Sequence, residues 1–380
     1  MGLPWLALDL GAGGVELGIL AVVQFTPILV LSLASGALVD RIPRRRLLIL
    51  TYSISLCLSL AAAALVLSGA AELWHLYVYS FAVGVVIAFD GPARQALLAD
   101  AVGGGTLQQA LALDQATLGT ARVAAPAVAG LIISLCGAGW CFALNAVLVV
   151  PAIITIALMR LAPVAAQVRT GRSLLAEATA GIRYAMSDPL LRMPLIVLLF
   201  VGLFGYNIGI WLPLFARDEL AAGATGFGTM NVAIGIGSLV AAVVTSLGGP
   251  PSPARISVSA AAFGGLLAVV STAPTLLLAL PVLIVTGFMS ITFTVSTSVA
   301  LQMRTEDGYR GRVMSLYFLL FSGTTPVGSA LTGILADSVG IRATIATLGL
   351  ACVVGAAIGA LWLRKRADVR SVYRGMQSDE

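Results

Sequence analysis

Long, uninterrupted apolar segments recur along this chain, and they limit its possible folds more than any other feature. About 20 apolar residues in a helix are enough to cross a hydrocarbon core about 30 Å thick. Eleven segments approach or exceed that length: 16–38, 47–70, 73–98, 107–135, 139–161, 193–216, 225–247, 255–271, 276–302, 313–337 and 340–363. Only 10% of the residues are charged, far fewer than in a soluble domain. Because helices satisfy their own backbone hydrogen bonds in lipid, we predict an all-α polytopic membrane protein.

Two stretches of the chain resemble each other and indicate an internal repeat. AGLIISLCGAG and TGILADSVGIR share two glycine pairs at an offset of 203 residues: Gly130 with Gly333, and Gly137 with Gly340. The order of the apolar segments repeats as well, which predicts two six-helix halves related by an axis along the membrane normal. The predicted parts are an N-terminal transmembrane half (1–161), a central loop (162–192), a C-terminal transmembrane half (193–363) and a tail (364–380).

The first nine residues are apolar but too short to span a membrane. The sixth full segment begins near Met193, and subtracting the repeat offset places its counterpart's start near position −10. We therefore expect residues 1–9 to be the second half of a helix whose first half precedes the given sequence. The functional protein would then have twelve helices, of which this chain holds eleven and a half.

The basic residues are distributed unevenly between the two sides that alternate threading defines. One side holds 19 of the 22 lysines and arginines, the other holds only Arg217 and Arg342, and Arg122 lies within an apolar segment. This asymmetry predicts that the loops 39–46 and 162–192 and the C-terminus are cytoplasmic. The net charge of +5 then reflects topology, and no nucleic-acid partner is expected. Residues at helical spacing within 162–192 predict an amphipathic helix on the membrane surface: Leu174, Ala178, Ile182, Ala185 and Met186.

The loop GALVDRIPRRR (36–46) concentrates charge directly after an apolar segment. It resembles the loop between helices two and three of the major facilitator superfamily, whose pattern is Gly, three residues, Asp-Arg, one residue, Gly, and then basic residues. Pro43 stands where the family usually has glycine. The matching residues are Gly36, Asp40, Arg41, Arg44 and Arg45.

Other stretches are similar to the drug:proton antiporter-3 branch of that superfamily, which contains enterobactin exporters and macrolide efflux proteins. They are GPARQALLADAV (91–102), ARVAAPAVAGLI (121–132), SLLAEATAGIRYAMSDPLLR (173–192) and YRGRVMSLYFLLFSGTTPVGSALTGILAD (309–337). The resemblance spans nearly the whole chain and implies a major facilitator fold and secondary transport. It does not specify a substrate.

In the family, the charged loop latches the outward-facing state by closing the cytoplasmic side. Gly36 would let neighbouring helices approach closely. Asp40 could face the positive N-terminal end of the helix that starts near 312–315. The arginines, Arg41, Arg44 and Arg45, would pair with acidic groups across the two halves and with anionic headgroups. The alternative is ordinary anchoring of a cytoplasmic loop by positive charge.

Ionisable residues inside apolar segments are expensive to bury and therefore suggest function. A carboxylate reachable from either side could carry a coupling proton, and the candidates are Asp114 and Asp90. Arg94 lies four residues after Asp90, where the two could pair. Arg122 could bind an anionic group or brace helices through backbone carbonyls. The alternative for the carboxylates is that arginines hold them at the cytoplasmic mouth.

The resemblance implies that helices one, four, seven and ten line the transport path. In the segments 193–216 and 276–302, the candidate cavity residues are Phe204, Tyr206, Asn207, Trp211, Thr294 and Ser298. Alternatively, the aromatic residues pack within the fold, and the hydroxyl groups bond back to their own helix.

Enzymatic motifs are absent from the sequence. The only lysine is Lys365, in the tail, so no P-loop can form. We therefore expect no enzyme, no cofactor and no metal. The expected function is proton-coupled export of an amphiphilic small molecule, such as a drug or siderophore, by a monomer in the lipid of the bacterial cytoplasmic membrane. The alternatives are an importer or uniporter of the same fold, or a membrane protein that does not transport, such as a scaffold.

Overall fold

The computed structural model of the chain describes residues 2–39, 42–102, 117, 121, 125, 128–133, 135–159, 174–249 and 251–378. Throughout this part of the chain, regular structure is helical and no β-strand occurs. The all-α prediction is therefore confirmed. The predicted segment 107–135 lies mostly outside the described residues, apart from a helical stretch at 128–133 and isolated positions near it.

The helices of the described chain before residue 160 are α1 (Gly2–Asp9), α2 (Gly14–Val39), α3 (Arg44–Leu67), α4 (Leu73–Val102) and α5 (Gly139–Leu158). Those after residue 173 begin with α6 (Leu174–Ser187), α7 (Pro189–Phe200), a π-helical turn (Val201–Gly205), α8 (Ile208–Leu214) and a second π-helical turn (Phe215–Glu219). They continue with α9 (Gly223–Leu247), α10 (Pro253–Ser271), α11 (Leu276–Arg304), α12 (Asp307–Ser322), α13 (Thr325–Val339) and α14 (Ile341–Ser378).

Ten stretches of the described chain are long and apolar enough to cross a membrane, when consecutive short helices are taken together. Their outer faces carry large apolar side chains with little cover: Leu158 is 74% exposed and Leu247 is 84% exposed. Apolar surface on this scale is not compatible with water and requires a lipid environment. The chain is therefore a multi-pass membrane protein.

The first compact unit comprises Met1–Thr170, Gly209–Val232 and Ser329–Ser338. Within it, α2 packs along α4, and α3 packs along both α4 and α5. A side chain at Gly84 of α4 would collide with the carbonyl oxygen of Gln24 on α2. Glycine therefore allows these two backbones to touch, as is common between membrane helices.

The second compact unit comprises Gly171–Ile208, Ala233–Gly328 and Val339–Glu380. Here α10 packs against both α11 and α14, and α14 also packs against α7. A Cβ atom at Gly264 of α10 would collide with the carbonyl oxygen of Gly349 of α14. A Cβ atom at Gly349 would likewise collide with the carbonyl oxygen of Gly264. The two units do not coincide with the halves 1–161 and 193–363, whose boundaries stay predictions.

One of the two glycine pairs of the predicted repeat has left-handed backbone, and the repeat itself stays a prediction. Gly137 has a φ of 92° and directly precedes the turn into α5, and Gly340 has a φ of 83° and directly precedes α14. Left-handed backbone of this kind ends helices and is favourable only for glycine.

Two predicted segments are each divided in the structure. The segment 313–337 forms α12 and α13, which are separated at Gly323 and Thr324. Pro326 lies in the first turn of α13, where its missing N–H costs no intrahelical hydrogen bond. The segment 193–216 is divided near its centre, at Tyr206 and Asn207.

Helix α6 forms where an amphipathic helix is predicted, and it lies against the start of α12. The rings of Tyr184 and Tyr309 stack with centroids 4.2 Å apart, and a Cβ atom at Gly181 would lie 2.7 Å from Cβ of Arg312. Ile182 and Met186 stay exposed. Two apolar side chains of the predicted stripe therefore remain available for a membrane surface.

Candidate functional site

A break in the middle of a membrane-length helix provides the most distinctive local geometry. The stretch Pro189–Glu219 passes through a π-helical turn, leaves helical structure at Tyr206 and Asn207, and resumes as α8. Gly202 and Gly205 fit tightly before the break: a Cβ atom at Gly202 would lie 2.7 Å from Oγ1 of Thr324, and one at Gly205 would collide with Phe263. Such π-helical turns occur frequently at functional sites.

Tyr206 is the centre of a polar and aromatic cluster in the second unit. Its hydroxyl lies 2.6 Å from Oγ1 of Thr294 and also donates to the carbonyl oxygen of Ser290 at 3.3 Å. Its ring lies 5.7 Å from that of Phe263 and 5.2 Å from that of Phe321, measured between centroids. The Tyr206 side chain is only partly buried. The cluster offers ring faces and hydroxyl groups but no formal charge.

Asn207 is buried at the break, and its side-chain amide donates to the carbonyl oxygen of Leu203 at 2.8 Å. A Cβ atom at Gly328 would lie 2.8 Å from Nδ2 of Asn207, so the α13 backbone contacts the amide directly. The Asn207 amide thus provides a partner for the Leu203 carbonyl beside a break that would otherwise leave polar groups unsatisfied.

The other predicted cavity residues lie around the same segment with different partners. Phe204 is partly exposed beside Phe200, with centroids 6.1 Å apart. Ser298 lies one turn after Thr294 on α11 and accepts a hydrogen bond from Gln302 at 3.1 Å. Trp211 belongs to the first unit, is 1% exposed, and its Nε1 has no hydrogen-bond partner among the described residues.

The aromatic residues around Tyr206 were not predicted. Phe263 comes from α10, whereas Phe321 and Tyr317 come from α12 and stack at 5.9 Å. Each occupies an unremarkable position within its own apolar segment. Only the packing of three helices brings them to Tyr206, so no local sequence signal could have identified them.

Asp90 lies in a separate polar cluster in the first unit, on α4. The Tyr52 hydroxyl forms a hydrogen bond with its carboxylate, and the charge of Arg94 acts on it from the next turn. The Oδ1 atom of Asp90 is buried and has no hydrogen-bond partner among the described residues. The pairing of Asp90 with Arg94 stays a prediction, and the structure adds Tyr52 from α3 as a partner of Asp90.

Part of the predicted charged loop is described. Gly36 belongs to α2, and Arg44 is the first residue of α3. Arg45 Nε donates to the carbonyl oxygen of Ile156 at 3.0 Å, and its Nη2 donates to that of Ala157. Arg45 therefore caps the C-terminal end of α5, where a cation is favourable.

The remaining predicted residues, Asp40, Arg41, Asp114 and Arg122, lie outside the described part of the chain. No group of three or more metal-ligating side chains that could hold an ion occurs among the residues that were described.

The fold is similar to that of solved transporter structures. The nucleoside transporter NupG covers 95% of this chain and 93% of its own, with a TM-score of 0.72 at 12% sequence identity. A POT family transporter in complex with 5-aminolevulinic acid covers 96% and 93%, with a TM-score of 0.75 at 11% identity. Identities this low establish the fold alone.

Sequence relatives add the transport class. The chain is 27% identical to the multidrug efflux pump Tap of Mycolicibacterium fortuitum, over 91% of this chain and 87% of that protein. It is 26% identical to the staphyloferrin A transporter of Staphylococcus aureus, over 93% of this chain and 89% of that protein. The family model MFS_3, which describes transmembrane secretion effectors, matches residues 1–373. The chain therefore belongs to the MFS_3 family of transmembrane secretion effectors, and it is a transporter of the major facilitator type.

Proposed function

We propose that this transporter exports an amphiphilic small molecule, drug-like or siderophore-like, from the bacterial cytoplasm by alternating access, driven by proton entry. It acts as a monomer in the cytoplasmic membrane, with the arginine-rich loops 39–46 and 162–192 and the C-terminus facing the cytoplasm. The relatives named as a multidrug efflux pump and as a siderophore transporter support this substrate class.

The break at Tyr206 and Asn207 is the observation that carries the proposal. Interrupted helices are tolerated at membrane depth only where the freed backbone groups contact protein or line a cavity. Transporters place such breaks at their substrate sites. A ligand with both an apolar body and polar groups matches the ring faces around Tyr206 and the hydroxyl of Thr294. Such a ligand can bind at this cluster without a charged side chain.

Asp90 is the described candidate for proton coupling. It is a carboxylate within a membrane-length helix, and one of its oxygens has no hydrogen-bond donor among the described residues. Binding a proton would remove the charge of this carboxylate, and losing the proton would restore its attraction to Arg94. Asp114 remains the second candidate, on sequence grounds.

The Tyr206→Phe variant is expected to raise the KM for an exported dye about three- to tenfold, because one hydrogen-bonding group leaves the site while the ring stays. Thr294 keeps its own hydrogen bond to the Ser290 carbonyl, at 2.9 Å, so stability should change by about 1 kcal/mol or less. The measurement is the initial rate of ethidium efflux from loaded cells against intracellular concentration.

The matched control for this variant is Tyr79→Phe, which removes a hydroxyl that bonds to Ser59 in the first unit. It should leave the KM unchanged. Equal effects of the two substitutions on the KM would contradict a substrate contact at Tyr206.

Comparing strains tests the direction of transport. A strain that overproduces the chain should tolerate higher concentrations of at least one amphiphilic drug than a deletion strain. Export predicts that the deletion strain accumulates more of that drug. Greater accumulation in the overproducing strain would identify an importer instead, and equal accumulation across a broad panel would favour a role other than transport.

A further inference from the structure

The start of α2 is held by a carboxylate that is distant in sequence. The backbone N–H of Gly14 donates to Oδ1 of Asp337 at 2.7 Å, and that of Val15 donates to Oδ2 at 2.8 Å. The N–H of Gly13 donates to Glu16 at 2.9 Å. These amides have no partner within the helix, and the helix start is electropositive. Asp337, near the end of α13, therefore caps α2 with both of its oxygens.

Arg217 contacts the chain on the other side of the turn between α1 and α2, at the end of α1. Nη1 of Arg217 donates to the carbonyl oxygens of Leu8 at 3.3 Å and Ala12 at 3.2 Å. These carbonyls lie at and just after the end of α1, where the helix dipole favours a cation. The Asp337 carboxylate thus binds the start of α2, and the Arg217 guanidinium binds the end of α1. The two charged groups lie on either side of the short turn between these helices.

Both side chains come from the predicted C-terminal half, whereas the turn belongs to the predicted N-terminal half. Other contacts within the first unit also join these two parts of the chain. Trp5 stacks on Phe227 with centroids 5.6 Å apart, and a Cβ atom on Gly130 would lie 2.6 Å from Cα of Gly228. All of them lie towards the side that the arginine bias assigns to the exterior.

Helices α2 and α13 run antiparallel in a clear register. A Cβ atom at Gly14 would lie 2.7 Å from the carbonyl oxygen of Gly333, and one at Gly18 would lie 3.0 Å from that of Ser329. Moving four residues forward on α2 therefore corresponds to moving four residues back on α13.

The same five-residue pattern occurs at the ends of the two segments. GALVD (36–40) ends the first full apolar segment, and GILAD (333–337) lies at the end of α13. Each has glycine, leucine and aspartate at identical spacing. In GILAD, Gly333 allows its backbone to contact that of α2, and Asp337, one turn later, caps the start of α2.

We propose that Asp337 is the exterior latch of the transport cycle: it caps the start of α2 when the exterior side is closed, as the family resemblance implies that Asp40 latches the cytoplasmic side. Arg217 reinforces the exterior latch by holding the end of α1. The inference rests on the proposed alternating-access function. It assigns Asp337 and Arg217 as positioning residues that bias which side is open.

Distance measurements by spin labelling test this on the full chain in lipid nanodiscs. Labels are attached at Ala70 and Thr272, both exposed and both in predicted exterior turns, after replacement of the four native cysteines. Asp337→Asn is expected to increase the ratio of long to short distances about threefold or more, because it removes the charge at the α2 start. Asp40→Asn is expected to decrease that ratio.

The matched control is Glu72→Gln, which removes an exterior carboxylate that bonds within its own turn, to Trp74. It should leave the distances unchanged. The proposal is overturned if Asp337→Asn leaves the distribution as in the parent chain, or if the two aspartate variants shift it in the same direction. If Asp337→Asn does not fold, Arg217→Gln takes its place, with the same expected shift and the same contradicting result. No substrate is added, so the outcome does not depend on whether the exported molecule has been identified.

Discussion

Replacing Gly287 by alanine is expected to destabilise the protein by about 1–3 kcal/mol and to abolish transport, because a Cβ atom there has no space. It would collide with the carbonyl oxygen of Ile234 on α9. The contact is reciprocal, since a Cβ atom at Gly237 would collide with the carbonyl oxygen of Ile284 on α11. Neither obstacle is a flexible side chain, so the two helices would have to separate.

Separation of α9 and α11 would also displace residues of the candidate site. Helix α11 carries Thr294, two turns after Gly287, and displacement of the helix would lengthen the 2.6 Å contact with Tyr206. The measurement is the thermal unfolding midpoint of the purified chain in detergent, together with dye efflux from cells. We expect a lower midpoint and background efflux.

Gly265→Ala is the matched control. Gly265 also lies within a membrane-spanning helix of the second unit, but nothing lies within 4 Å of its Cβ position. Since alanine is favoured over glycine in a helix by about 1 kcal/mol, this variant should be as stable as the parent or more so. Equal unfolding midpoints for Gly287→Ala and the parent chain would contradict the close α9–α11 packing.

The second large effect is expected at Asp90. Asp90→Asn keeps the shape of the side chain and can still accept the hydrogen bond from Tyr52, but it cannot take up a proton. Accumulation of substrate against its gradient should therefore fall to background. Equilibration down a substrate gradient should continue, because the binding cluster around Tyr206 and the fold are retained. The separate loss of uphill transport distinguishes a coupling role from structural damage.

The corresponding measurement uses liposomes that contain the purified chain, with and without an imposed proton gradient. Asp114→Asn is compared in parallel, since Asp114 is the other candidate carboxylate. Full uphill transport by the Asp90 variant, together with its loss in the Asp114 variant, would move the coupling role to Asp114. Full uphill transport by both would remove proton coupling through either residue.

Much of the fold could be predicted from the sequence, because membrane helices are set by local physics. An apolar segment of sufficient length must form a helix in lipid, whatever its neighbours are. Segments such as 276–302 therefore agree closely with the observed helix Leu276–Arg304. The glycine turns at Gly137 and Gly340 were also recognisable, since a left-handed backbone leaves a clear sequence signal.

The site could be predicted only in part, because its geometry depends on contacts between helices. The sequence identifies Tyr206, Asn207 and Thr294 as polar or aromatic positions in two segments, and the structure brings Tyr206 and Thr294 together. The break beside Asn207 was not predicted, since it depends on the fit of Gly205 against Phe263 and of Gly328 against the Asn207 amide.

Arg45 and Asp337 illustrate the same limit for charged residues. Arg45 was expected to face acidic groups or lipid, and its observed hydrogen bonds are with the end of α5. The only distinguishing sequence feature of Asp337 is that GILAD shares its glycine, leucine and aspartate with GALVD. Its contact with the start of α2 depends on the packing of α2 beside α13. Helix termini attract charged side chains from distant segments, and sequence spacing does not record which terminus is nearby.

Inside-out membrane vesicles from cells that produce the chain test the central claim most directly. The vesicles are energised by respiration and offered a panel of amphiphilic compounds, beginning with ethidium, beside vesicles that contain the Asp90→Asn variant. The account predicts accumulation of at least one compound by the parent vesicles, its collapse when a protonophore is added, and background accumulation with the variant. Accumulation that persists with the protonophore, or parent vesicles that accumulate no compound above the variant, would contradict proton-driven export.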